Sequence, residues 1–211
     1  MPSKVSAPRP SARERLLAAA DELFYHEGVQ SVGVDRVVQQ AGVAKASLYH
    51  LFGSKEELVQ AYLDARHDES RKQVERALTR FRTPRERLLG VFDAQGQIFT
   101  EPDFNGCAHM TASAEARHGG PIESANDRFR QWVRTLFADL AREAGVADPV
   151  ELARQLHLLY DGAGVSARMD RDPSAATTAR AAAAALFDAA AKDAQPADPR
   201  QALGQEIHGG V

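Results

Sequence analysis

The chain has 211 residues and a mass of 22.9 kDa, with 44% hydrophobic and 26% charged residues. These proportions fit one medium globular domain, or a small domain joined to a larger one, and exclude collagen-like, mucin-like and wholly disordered chains. The net charge of −3 is uneven: residues 1–55 carry seven Lys/Arg against five Asp/Glu, and the remainder 19 against 24, a mildly basic head on an acidic body.

In chain order, every predicted element is a helix. Ser11-Ala12-Arg13-Glu14 forms a capping box, with the hydroxyl taking an orphan first-turn amide and the glutamate reaching back. The helix it opens carries Leu16, Ala20, Leu23 and Phe24, and Gly28 closes it. Val34, Val37, Val38 and Ala41 make a two-turn helix ended by Gly42, and residues 45–50 make a second short one. Ser54 opens a long helix with Leu58, Tyr62, Val74, Leu78 and Phe81 on its apolar face. Thr83-Pro84-Arg85-Glu86 opens the next, with proline at the first helical position, and Leu88, Phe92, Gln95 and Phe99 form its buried stripe.

A short segment over about residues 105–117 is broken by Gly119-Gly120-Pro121. Beyond it, Ala125, Phe129, Trp132, Leu136 and Leu140 give the clearest amphipathic stripe, stopped at Gly145. Asp148-Pro149 starts a helix with Leu152, Leu156 and Leu159, and Pro173 divides it from an alanine-rich helix ending near Lys192. No alternating strand pattern occurs, so the fold class is all-α. The expected organisation is a basic arm over 1–10 with Lys4 and Arg9, a head over 11–56, a helical body over 57–193 and a disordered tail over 194–211. The longest apolar run, residues 181–187, is far shorter than the ~20 residues of a membrane span. With no secretory h-region and one cysteine, Cys107, the expected location is cytoplasmic.

The informative segment lies between Gly28 and Ser54. Two short helices joined at Gly42 describe a helix-turn-helix. Leu48 and Phe52 hold the second helix to the core and leave Lys45, Ala46, Ser47, Tyr49 and His50 projecting outward. A helix of this width fits the DNA major groove. Ala46 permits close approach, Ser47 donates or accepts, Lys45 and His50 reach a base edge or phosphate, and Tyr49 reaches a phosphate. Lys55, in the first turn of the following helix, is a candidate phosphate anchor.

The run from Gly42 through Lys45, Tyr49, Phe52 and Lys55 to Leu58, preceded by Ala19, Ala20, Leu23, Phe24 and Gly28, resembles the signature of the TetR family of bacterial transcriptional regulators over roughly residues 11–62. The resemblance implies a helix-turn-helix head followed by a helical ligand-binding and dimerisation domain. It implies a homodimer on a palindromic DNA operator, released by an unidentified small-molecule effector, with neither a cofactor nor a membrane partner. It carries DNA-facing roles to Lys45, Ala46, Ser47, Tyr49, His50 and Lys55. The sequence departs from the pattern at Gly33 and Ala44, where the family commonly has Ser or Thr, so both short helices lack a capping hydroxyl.

An effector-holding bundle needs an apolar cavity with a few polar handles. Phe92, Phe99, Phe129, Trp132 and Tyr160 are candidates for its walls, with Met110 and His157 beside them. A two-fold interface is expected on the last two helices, through Gly162, Ala163, Gly164 and Ala167 on one and Ala183, Leu186, Phe187 and Ala190 on the other. Two rival readings are an all-α enzyme using Cys107, His109 or Glu115, and a constitutive DNA-binding protein without effector. The enzyme reading lacks a nucleophile–base–orienter set and a metal signature.

Overall fold

A computed structural model describes residues 10–116 and 118–193. The arm residues Lys4 and Arg9, Arg117, and the tail from residue 194 lie outside the described residues. Among the described residues the regular elements are helices: α1 (Ala12–Glu27), α2 (Val34–Ala41), α3 (Lys45–Phe52), α4 (Lys55–Leu78), α5 (Pro84–Phe99), α6 (Ala108–Glu115), α7 (Pro121–Glu143), α8 (Pro149–Asp170) and α9 (Ala175–Asp193). The fold is all-α, as the periodicity requires.

Helix starts follow the capping chemistry. Ser11 Oγ accepts from the Glu14 amide at 3.2 Å while the Glu14 carboxylate accepts from the Ser11 amide at 2.7 Å. Thr83 and Glu86 make the same reciprocal pair at 3.1 and 3.0 Å. α2 and α3 begin at Gly33 and Ala44 with no side-chain cap. Packing and turn geometry therefore hold these two short helices, which are below the length that is stable in isolation.

Two apolar cores result. The head core gathers Leu16, Leu23 and Phe24 of α1, Val37 and Val38 of α2, and Leu48 of α3. It extends past residue 56: Leu58, Val59, Tyr62 and Leu63 of α4 belong to it, as do Ala112 of α6 and Ile122 and Ala125 of α7. The body core takes Val74, Ala77 and Leu78 from the far end of the same α4 and packs them with α5, α7, α8 and α9. Phe81 lies beyond the end of α4 and fills the space left at Gly90, where a Cβ would overlap its ring.

The helix phase of α8 and α9 corrects the expected dimer residues. Ala163, Ala167, Ala183 and Phe187 are 5% exposed or less, and Gly164 is buried with them. Their small size serves close approach among α5, α8 and α9 of one chain. Leu186 and Ala190 lie half-buried against the same core. Gly162 alone of the set faces outward, on a stripe with Leu158, Val165 and Met169, which are 72%, 37% and 76% exposed.

Gly42 sits at the corner between α2 and α3 with φ 62° and ψ 43°, the left-handed region. A Cβ there would meet only Arg15 Nη1 at 3.7 Å, so strain and not collision is the cost of a side chain. Gly42→Ala is expected to destabilise the fold by about 1–2 kcal/mol, lowering the melting temperature by roughly 2–8 °C, with Gly42→Asn recovering part of the loss. Thermal unfolding followed by circular dichroism checks this.

Candidate functional site

α3 presents two chemically distinct sides. Leu48 is wholly buried in the head core, and Phe52 packs against it with the Arg13 guanidinium 5.3 Å above its ring. Lys45, Ala46, Tyr49 and His50 are exposed and Ser47 is half-exposed, so the structure brings these predicted reading residues together on one outer flank. Lys45 Nζ lies 2.8 Å from Asp35 Oδ1 of α2, in a pair open to solvent on both sides. Such pairs are weak, so a phosphate can compete for the ammonium. The scaffold behind the flank is braced by Arg36 on Glu27 and by Gln40 on Glu22, joining α2 to α1. Arg15 Nη1 donates to the Gly42 carbonyl oxygen at the corner.

Lys55 departs from its expected role. Its ammonium turns inward and donates to the Val29 carbonyl oxygen at 2.6 Å, near the Phe24 ring. Partial burial lowers its pKa, with Glu56 and Glu115 opposing the shift. The chain bends back at Val29 between α1 and α2, and an otherwise unmet carbonyl there outcompetes solvent for the ammonium. What remains directed outward is the N-terminal end of α4, where Ser54 Oγ caps the Glu57 amide.

A cavity of about 110 Å³ lies where the head meets the body. Of the residues named for an effector pocket, Phe99, Phe129 and Tyr160 line it; Phe104, Gln95, His109 and Cys107 line it as well. Phe92 does not: it is fully buried against Phe137 and Tyr160. Trp132 packs instead on His67 and Phe129, and His157 is buried with its Nε2 3.6 Å from Asp161. Met110 borders an adjoining hollow with Asn126, Arg130 and Asp161. A further hollow of about 210 Å³, near Val29, is lined by Lys55, Glu56 and Glu115 and is more polar.

Tyr25 of α1 also lines the 110 Å³ cavity and ties it to the head. Its hydroxyl accepts from the Asn105 amide at 2.8 Å and donates to the Gly106 carbonyl oxygen at 3.2 Å. Asn105 Nδ2 returns a bond to the Tyr25 carbonyl oxygen at 2.8 Å. Arg66 of α4 stacks 4.0 Å above the Tyr25 ring and makes a bidentate pair with Asp21 at 2.5 and 2.9 Å. A second tie joins the Gln30 amide to the Glu115 carboxylate at 2.8 Å, at the end of α6. The ties from Tyr25 and Gln30 span 80 residues of sequence or more and the Arg66–Asp21 pair 45, so periodicity and spacing carried no sign of them.

Of the residues proposed for chemistry, Cys107 and His109 share the cavity lining while Glu115 stands apart at the hollow near Val29, so the three form no nucleophile–base–orienter set. Burial pushes the Cys107 thiol up, although the His109 and Met110 amides pull the other way. His109 pairs with Asn126, and Glu115 is engaged by Gln30.

His109 is buried and stacked on Phe129 with 4.1 Å between ring centroids. Burial lowers its pKa to about 4, opposed by the Asn126 contact, with His67, Asp64 and Arg128 as the surrounding charges. Burial also lowers His67 and His157. With the folded value depressed, the unfolded chain takes up the proton first. The contribution is complete above the unfolded value near 6.5 and is lost as pH falls towards 4, amounting to about 3 kcal/mol for His109. Urea unfolding at pH 7.5 and 4.5 is expected to show this loss, and His109→Gln should shrink it.

The sequence profile of bacterial regulatory proteins of the tetR family matches residues 16–62, which covers α2, α3, most of α1 and the first turns of α4. A TetR-family transcriptional regulator from Streptomyces coelicolor has a similar structure, with TM-score 0.79 and 32% identity over 85% of this chain and 96% of that one. The transcriptional repressor NemR of Escherichia coli is 27% identical over 170 residues, 75% of this chain and 85% of NemR. The transcriptional activator FasR of Mycolicibacterium smegmatis is 38% identical over 87 residues, which is 41% of this chain and 40% of FasR. Family profile, structural likeness over 85% of the chain and the outward flank of α3 agree: the chain belongs to the TetR family of helix-turn-helix transcriptional regulators.

Proposed function

We propose that this chain is a cytoplasmic regulator that binds a roughly palindromic operator as a homodimer and leaves it when a small effector fills the cavity beside Tyr25. The observation that carries the reading is the division of α3: a fully buried Leu48 beneath an exposed flank of Lys45, Ala46, Tyr49 and His50. Placed in the major groove, Lys45 exchanges Asp35 for a phosphate, Tyr49 donates to another, and Ala46, Ser47 and His50 face base edges. Repression is the sign we assign, because the likeness to NemR runs over most of both chains whereas FasR is matched over less than half its length.

Release follows from the shared α4. An effector against Arg66 and Ser70 bears on the middle of this helix, and against Gly106 it bears on the carbonyl that Tyr25 holds. Tilting α4 carries Leu58 and Val59, and with them the seat of α3. Two reading heads then lose their common spacing. The effector must bind the spread arrangement more tightly than the DNA-competent one.

The test is affinity for duplexes selected from random DNA, measured across salt concentrations. Lys45→Ala is expected to reduce the slope of log affinity against log salt by about one unit. Lys55→Ala should leave the slope within half a unit while lowering thermal stability, because its ammonium serves Val29. Loss of the Lys45 effect would remove α3 from the DNA.

The dimer surface we assign is the outer stripe of α8, Leu158, Gly162, Val165 and Met169, with Ala181, Ala182, Ala185 and Ala189 on the exposed side of α9. Apolar side chains exposed in such a row indicate an interface, and the four helices of two copies close it by two-fold symmetry. Leu158→Glu is expected to yield monomers by light scattering at micromolar concentration and to weaken operator binding; Ala163→Ser should leave the dimer intact.

A further inference from the structure

One acceptor beside the cavity has no donor. Gln95 is 5% exposed, and its Nε2 donates to the Tyr160 carbonyl oxygen at 2.8 Å, an arrangement that fixes which end of the amide is oxygen. Its Oε1 is buried with no hydrogen-bond partner. His109, also 5% exposed, pairs its Nδ1 with the Asn126 side-chain amide at 3.1 Å, and both its Nε2 and Asn126 Nδ2 are buried without a partner. Gln95 and His109 line the same cavity, alongside the aromatic rings of Phe99, Phe104, Phe129 and Tyr160. Each unmet buried acceptor in a folded protein calls for a physical account.

Lining and charge narrow the occupant. The cavity of about 110 Å³ is partly open, shares His109 and Phe129 with the hollow beside Met110, and is walled by aromatic rings, a surround that suits a small aromatic molecule. Arg66 is the cation in its lining and is already committed to Asp21 in a bidentate pair. Glu101 stands on the same lining and disfavours an anion. Arg66 on that lining opposes a cation as Glu101 opposes an anion, so neither sign of charge is favoured and a neutral molecule fits both.

We propose that the effector is a neutral single-ring molecule bearing a hydrogen-bond donor, of the phenol or aromatic-amine class, which donates to Gln95 Oε1. The proposal rests on the ligand-released reading above and specifies its ligand. An acid such as a carboxylate or phosphate ester is excluded as the effector by the same geometry.

Calorimetric titration of the full chain with phenol, benzene and benzoate at pH 7.5 tests this, with affinity for a selected duplex measured in the same preparations. Phenol is expected to bind one site per subunit, about tenfold tighter than benzene, while benzoate gives no saturable heat. Phenol should also lower duplex affinity. Gln95→Leu should cut the phenol-to-benzene preference by about fivefold or more without weakening benzene. Because the ligand series on the unaltered protein stands alone, a variant that fails to fold does not shelter the idea. Equal affinity for phenol and benzene, tighter binding of benzoate, no saturable ring binding, or an unchanged preference in Gln95→Leu overturns the effector class. Phenol binding that leaves duplex affinity unchanged overturns the cavity as the effector site. Absence of duplex binding by the ligand-free protein instead sinks the DNA reading, so the two failures are separable.

Discussion

One helix belongs to both cores. α4 runs for 24 residues, roughly 36 Å, with Leu58, Val59, Tyr62 and Leu63 in the head and Val74, Ala77 and Leu78 in the body. Protein interiors are close-packed, so neither end can shift without the neighbours that grip it. Between the two apolar ends lie Arg66, His67 and Ser70, and the cavity opens beside this middle stretch. The bidentate Arg66–Asp21 pair and the stacking of Arg66 on Tyr25 lock that stretch to α1. A disturbance there acts on the head directly, without a long relay.

The outer flank of α3 follows a different economy from the strut behind it. α3 is short and uncapped, and its hold on the protein is concentrated in Leu48 and Phe52. The electrostatics on its outer flank are solvent-exposed and weak, as the Lys45–Asp35 pair illustrates. A surface of this kind loses little when it exchanges an intramolecular partner for a phosphate. Rigidity resides instead in the ties behind it, where Arg36, Gln40 and Arg15 fix α2 and the Gly42 corner to α1. Positioning and contact are thus assigned to different residues, which allows the contacts to break while the head stays folded.

How far the sequence revealed this depended on the range of the interactions. Capping pairs such as Ser11–Glu14 and Thr83–Glu86 are three residues apart, and they placed helix starts to the residue. The helix-turn-helix was equally legible, because Leu48, Gly42 and the flank from Lys45 to His50 are all local. Composition misled where phase mattered: the small residues of α8 and α9 suggested an interface, yet Ala163, Ala167 and Ala183 face their own core. The exposed stripe through Leu158, Val165 and Met169 was readable only once the direction of α8 relative to α5 and α9 was known. The inward turn of the Lys55 side chain was hidden for a related reason, since the carbonyl at Val29 lies 26 residues away. Tyr25, Gln95 and His109 were silent as a group because three separate helices bring them to one cavity.

Those three residues also explain why occupancy can be felt as free energy. Leaving a buried acceptor unmet costs on the order of 1–3 kcal/mol, and Gln95 Oε1 stands in that condition. A donor that meets it relieves the cost only in arrangements where the cavity is wide enough to admit it. If the spread arrangement admits the ring more readily than the DNA-competent one, the relief is differential, and differential relief is what shifts a two-state equilibrium. The Tyr25 hydroxyl sits at the junction of the two outcomes: it is bonded to the backbone of residues 105 and 106 while its ring forms part of the cavity wall. On the proposed release, ligand volume and head position compete for the contacts that Tyr25 makes, and the energy of those contacts bounds the magnitude of regulation.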